Sequence, residues 1–113
     1  MNKARVYIAG PYTQGDVAAN VRAAIEAGNR LMEVGYLVYI PHLNHFWHFL
    51  FPHDWQTWIN HDLAWLPLCH IFVRLPGESK GADLEENKAI ELGLRFATVE
   101  ELAQEVLQFE PGK

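Results

Sequence analysis

Apolar positions along the chain fall into two kinds of run that alternate. Four short runs rich in β-branched and aromatic residues predict strands: Arg5-Val6-Tyr7-Ile8-Ala9, Tyr36-Leu37-Val38-Tyr39-Ile40, His70-Ile71-Phe72-Val73-Arg74-Leu75 and the weaker Leu94-Arg95-Phe96-Ala97. Between the first two, Val17, Val21, Ala24, Ile25, Gly28, Leu31 and Met32 recur at helical spacing. Arg22, Glu26, Asn29, Arg30 and Glu33 fall mostly off that stripe. Asp16 is a good N-cap for this helix and Gly35 its expected stop. After the third strand, Pro76-Gly77-Glu78-Ser79-Lys80-Gly81 forms a turn-rich loop that runs into a helix ending near Gly93. Thr98-Val99-Glu100-Glu101 fits a capping box, and Val99, Leu102, Val106 and Leu107 give the last helix an apolar side.

Strand, helix, strand with short joints is a right-handed βαβ unit between parallel strands. The expected fold is therefore α/β: a flavodoxin-like three-layer α/β/α sandwich with a parallel sheet of four to five strands in the order 2-1-3-4. The strand order changes direction between strands 1 and 3, so loops 10–16 and 76–81 should face one crevice. Open α/β sheets bind their ligands there.

Residues 41–61 break the rhythm. Five of the six histidines lie here (His42, His45, His48, His53, His61), among Phe46, Trp47, Phe49, Phe51, Trp55 and Trp58. Pro52 should separate a short helix from a second one, which Asp54 caps and which carries Trp58, Ile59, Asp62, Leu63, Trp65 and Leu66 up to Pro67. His42, His45 and His48 are three residues apart, a spacing found in zinc sites. With no HExxH and no cysteine pair beside them, aromatic packing is the expected role, and no metal is called for.

At 113 residues the chain makes one domain, 1–113. Its four Trp, four Tyr and six Phe are concentrated in the middle, so a second subunit is expected to cover part of that surface. A net charge of −5 argues against a nucleic-acid backbone partner but leaves room for a small nucleotide in a local pocket. The lone Cys69 allows no intrachain disulfide and fits a cytoplasmic setting. No signal peptide or membrane-spanning stretch is visible, and residues 110–113 read as a loose end.

The candidate chemistry centres on Glu85. About one turn into the helix after loop 76–81, its carboxylate can reach back over the loop and stabilise a cationic, oxocarbenium-like carbon. The plain alternative is that Asp83, Glu85 and Glu86 only complement the positive end of their helix. Ser79 and Gly81 offer a hydroxyl and backbone N–H groups to a polar ligand, and Gly77 and Gly81 allow close backbone approach. Asp62 can hydrogen-bond a nucleobase or help protonate it as it leaves, work that Asn60 and His61 could share. In the first loop, Gly10 can admit a ligand while Tyr12 or Thr13 contacts a sugar hydroxyl. One of the tryptophans could cap a base.

Three pieces in order carry a family resemblance: Val6-Tyr7-Ile8-Ala9-Gly10-Pro11-Tyr12; Asp62-Leu63-Ala64-Trp65-Leu66 leading into a strand; and Ser79-Lys80-Gly81-Ala82-Asp83-Leu84-Glu85 with Ala89 and Leu92-Gly93 behind. Together they resemble the nucleoside 2-deoxyribosyltransferase superfamily, which includes the 2'-deoxynucleoside 5'-phosphate N-hydrolases. The resemblance spans nearly the whole chain. It implies a flavodoxin-like fold, a homodimer or higher homo-oligomer with sites at subunit contacts, and no cofactor. It implies that Glu85 attacks C1' of a nucleoside or nucleotide, that Asp62 serves the base, and that the sugar passes to water or to another base. Ser79 stands where the phosphate-using members hold a 5'-phosphate. The first loop, Gly10-Pro11-Tyr12-Thr13, lacks the arginine of those members, and segment 42–58 has no counterpart in them. Three other readings stay open: a non-catalytic nucleotide-binding or sensing module, a His-ligated metal-dependent hydrolase, and release of nicotinamide from a dinucleotide.

Overall fold

The computed structural model of the chain describes residues 3–109, with side chains through residue 105. The elements run β1 (Arg5–Ala9), α1 (Val17–Glu33), β2 (Leu37–Tyr39), α2 (Asn44–Leu50), α3 (Trp55–Trp65), β3 (Ile71–Arg74), α4 (Lys80–Glu91), β4 (Arg95–Phe96) and α5 (Val99–Phe109). Single 3-10 turns at Pro41–Leu43 and Leu66–Leu68 lead into α2 and out of α3. The strands form one parallel sheet in the order β2-β1-β3-β4, as expected. The observed β2 and β4 are shorter than the apolar runs that predicted them. The side chains of Val106 and Leu107 and the whole of residues 110–113 lie outside the described residues.

The alternation of side chains along β1 divides the core between two faces of the sheet. Val6 and Ile8 point to one side, where they join Ile71, Val73, Ala24, Leu31, Val99 and Leu102 beneath α1 and α5. Tyr7 and Ala9 point to the other, with Phe72, Leu66, Cys69, Ala82 and Ala89, beneath α3 and α4. All four of these β1 side chains are fully buried, so β1 is the axis of a three-layer α/β/α sandwich. No helix among the described residues is long and apolar enough to cross a membrane.

The helix ends follow local chemistry. Asp16, Asp54 and Ser79 each accept a backbone N–H from the first turn of α1, α3 and α4. Thr98 and Glu101 exchange the reciprocal pair of bonds of a capping box at 3.1 and 2.8 Å. Arg74, at the carboxyl end of β3, reaches Asp83, Glu86 and the Gly77 carbonyl, and so ties loop 76–79 to the side of α4.

Two glycines fix the loops at the carboxyl end of the sheet, each for a different reason. A Cβ on Gly10 would stand 2.9 Å from that of Leu75, and Gly10 lets the ends of β1 and β3 pack together. Gly77 has φ +120 and faces Pro11, whose ring a Cβ would meet at 2.6 Å. The close approach expected of Gly77 is therefore to the neighbouring loop rather than to a ligand. Gly77→Ala combines a forbidden φ with this clash, and we expect a loss of about 1–3 kcal/mol in urea unfolding.

Candidate active site

Loops 10–16 and 76–79 and the amino ends of α2, α3 and α4 surround a cavity of about 310 Å³, within the range of small-molecule sites. Of the residues expected in a site, Gly10, Tyr12, Thr13, Asp62, Ser79, Gly81 and Glu85 all line it. Asn60 and His61 do not. Asn60 is exposed on the outer side of α3, where it accepts a hydrogen bond from Gln56 at 2.8 Å. His61 packs among Trp47, Trp58 and Trp65. The helical period of α3 explains the split: Ile59 and Asp62, three residues apart, face the cavity, and the positions between them turn away.

Glu85 and Asp62 are 5 % and 7 % exposed, the only buried carboxyl groups among the described residues. Burial pushes Glu85 up to about 8, against the lowering effect of a hydrogen bond from Tyr7, while the nearby Asp62 charge adds to the rise. Burial likewise pushes Asp62 up to about 7, against the lowering effect of its two donors. The donors are unevenly shared. Tyr7 donates its hydroxyl to Oε2 of Glu85. Tyr39 and Asn44 both donate to Oδ1 of Asp62, at 3.0 and 2.9 Å. Neither Oε1 of Glu85 nor Oδ2 of Asp62 has a protein partner among the described residues. Yet the one buried side-chain polar atom there without a partner is Nδ1 of His42. These two carboxyl oxygens therefore reach the open space of the cavity.

Tyr7, Tyr39 and Asn44 are donors to the site carboxyls that sequence reasoning missed, Tyr7 the most buried of them. Tyr7 holds Glu85 from the middle of β1, stacked between Tyr39 and Phe72. Its signal in the sequence is weak: an aromatic residue in a buried strand reads as core. Its pKa, raised far above the ordinary phenol range by burial and then by the Glu85 charge, keeps it a hydrogen donor at every working pH.

The histidine-rich segment closes one side. His42 is buried and its Nε2 lies 2.9 Å from the Pro11 carbonyl, which makes Nε2 the protonated nitrogen. Burial lowers its pKa, so the ring is neutral near pH 7. His45 Nδ1 meets the Tyr12 hydroxyl at 2.6 Å. His48 Nδ1 accepts from both Trp58 Nε1 and the His53 backbone N–H, leaving its Nε2 to carry the proton. The three histidines thus serve separate partners, and no group of three or more His, Cys, Asp or Glu side chains among the described residues has metal-binding spacing. Across the cavity, Ser79 spends its hydroxyl oxygen on the α4 cap, and the Lys80 ammonium sits 5.0 Å above the Trp55 ring.

Two buried carboxyl groups in one cavity, each with one oxygen pinned and one free, can exchange a proton with a bound molecule or attack an electrophilic carbon. The class these features define is a parallel α/β domain with a carboxyl-bearing ligand cavity at the carboxyl ends of β1 and β3. Residues 4–98 match the family model described as Domain of unknown function (DUF4406), and the chain belongs to that family. No curated protein matches the chain.

The raised carboxyl pKa values have a consequence for stability. The native state holds protons on Asp62 and Glu85 that the unfolded chain releases from the ordinary carboxylate range upward. Their contribution is complete at about pH 4 and is lost as pH rises through about 7 and 8. Denaturant midpoints across pH 4–9 should show the wild type losing roughly 1 kcal/mol per pH unit per group relative to the Asp62→Asn/Glu85→Gln variant. Parallel profiles would contradict the burial of these groups.

Proposed function

We propose that this domain cleaves the N-glycosidic bond of a nucleoside or nucleoside 5'-monophosphate through a glycosyl-enzyme intermediate. The observation that carries this reading is the pairing of two free carboxyl oxygens, Oε1 of Glu85 and Oδ2 of Asp62, in one cavity of nucleoside size. Glu85 forms a bond to C1' as the bond to the base breaks, and the electron pair of that bond leaves with the base. The reacting form holds one proton, on Oδ2 of Asp62, with Glu85 ionised. Since burial raises Glu85 to about 8 and Asp62 to about 7, it is the less populated of the two one-proton forms. From it Asp62 gives its proton to the departing base, which leaves poorly as an anion. Water then attacks C1' as the bond to Glu85 breaks and its electron pair returns to the Glu85 carboxylate, and the water yields a proton to the Asp62 carboxylate, which restores both groups. A second base in place of the water gives transfer instead of hydrolysis. Tyr7 holds Glu85 in position and, by donating to Oε2, favours its charged form. Ser79, Lys80 and Gly81 line the cavity and would receive the 5'-substituent, while Tyr12 and Gly10, on the same lining, would contact the sugar. The resemblance to the nucleoside 2-deoxyribosyltransferase superfamily points the same way.

Incubation with a panel of nucleosides and monophosphates, followed by chromatography for free base, tests the reaction. Glu85→Gln should lower base release by about a thousandfold or more while leaving ligand binding in place. Binding by the wild type with no base released from any member of the panel would favour a non-catalytic nucleotide-binding module.

The same reading includes a second copy of the chain. No residue of α2 is buried, and Phe46, Trp47, Phe49, Leu50, Phe51 and Trp55 beside the cavity are about half to four-fifths exposed. A seven-residue helix with so little cover has little stability of its own, and a run of exposed apolar side chains of this kind marks an interaction site. Light scattering should give at least twice the 13.0 kDa chain mass for the wild type and a monomer for Phe49→Glu/Leu50→Lys.

A further inference from the structure

We propose that Asn44 selects the base, favouring one that carries an exocyclic amino group beside the ring nitrogen that is protonated. This rests on the glycosidase reading above. Asn44 opens α2, is half-buried and lines the cavity beside Asp62. Its amide is oriented by one contact: Nδ2 donates to Oδ1 of Asp62 at 2.9 Å. The amide oxygen therefore points away from Asp62. It has no donor among the described residues, and it is not sealed off, since His42 Nδ1 is the only buried polar side-chain atom there left without a partner.

Asp62 is oriented by the same network. Oδ1 already accepts from Tyr39 and Asn44, so the proton of the neutral acid sits on Oδ2, on the cavity side. Two residues joined by one hydrogen bond thus line the cavity with a donor, Asp62 Oδ2–H, and an acceptor, Asn44 Oδ1. The matching edge on a base is an acceptor ring nitrogen with an N–H₂ beside it. Adenine offers this with N7 and its 6-amino group. Cytosine offers it with N3 and its 4-amino group. In hypoxanthine the group beside N7 is a carbonyl, and in uracil a carbonyl flanks an N–H. Each sets a carbonyl oxygen against the Asn44 oxygen, and two acceptors facing each other leave both unpaired.

Isothermal titration calorimetry with the free bases adenine, hypoxanthine, cytosine and uracil tests this without needing catalysis. Initial rates on the corresponding nucleosides and 5'-monophosphates run beside it. The wild type should favour adenine over hypoxanthine and cytosine over uracil by about tenfold or more in each measurement. Asn44→Ala should bring these ratios close to one. Asn44→Ser serves the same purpose if the alanine variant does not fold, and the wild-type ratios are decisive by themselves. A merely structural role for Asn44 would weaken amino and oxo bases equally, and that result overturns the proposal. So does a wild type that binds the oxo bases as well as the amino bases, or that binds none of the four. Amino bases bound with the expected preference while no nucleoside is cleaved would leave base selection standing and remove the glycosidase reading.

Discussion

Two carboxyl groups are buried at the carboxyl end of a parallel sheet, and only three side-chain hydrogen bonds hold them. Taking a carboxylate out of water is costly, and a protein limits that cost by pairing the group, donating to it or leaving it protonated. Among the described residues no cation pairs with either group. Arg74 lowers Glu85 only as the last of its causes, and its own partners are Asp83, Glu86 and the Gly77 carbonyl. What remains is phenol, amide and proton. The site is therefore built around neutral donors, and its carboxyls titrate near neutrality instead of near pH 4.

That constraint explains features that look unrelated along the chain. Tyr7 and Tyr39 are strand residues whose rings stack at a centroid distance of 5.4 Å in the core while their hydroxyls serve Glu85 and Asp62 separately. Both phenols stay protonated because burial and the nearby carboxyls raise their pKa values. Asn44 plays the corresponding part from outside the sheet, which requires the chain after β2 to fold back over the cavity.

The aromatic and histidine-rich segment is what makes that fold-back rigid. His42 reaches the Pro11 carbonyl, His45 the Tyr12 hydroxyl, and His48 joins Trp58 to the backbone of His53. His42 and His45 tie the 3-10 turn and α2 to the first loop, and His48 ties α2 to α3 and to the turn before it. The exposed tips of the segment, Phe49, Leu50 and Phe51, are the cost of placing so many aromatics on so short a helix.

Much of the fold could be read before any coordinates. Period-two runs at residues 5–9 and 70–75 made the central strands, and the helical stripe from Val17 to Met32 made α1. Asp16, Asp54, Thr98 and Glu101 capped the helices as their local chemistry requires, because caps depend on neighbours within three or four residues. The strand order followed from short right-handed connections. Glu85 and Asp62 stood out as candidates, but the sequence could not say that they share a cavity: that needs β1 and β3 to lie side by side and α3 and α4 to pack on the same face. Nor could it distinguish Asp62 from its neighbours Asn60 and His61, since only the facing of α3 decides which of them looks inward. Tyr7, Tyr39 and Asn44 entered the site through contacts 78, 23 and 18 residues apart in the chain. Local pattern fixes what a segment becomes; contacts at that range, and the desolvation that comes with them, are set only when the layers close on one another.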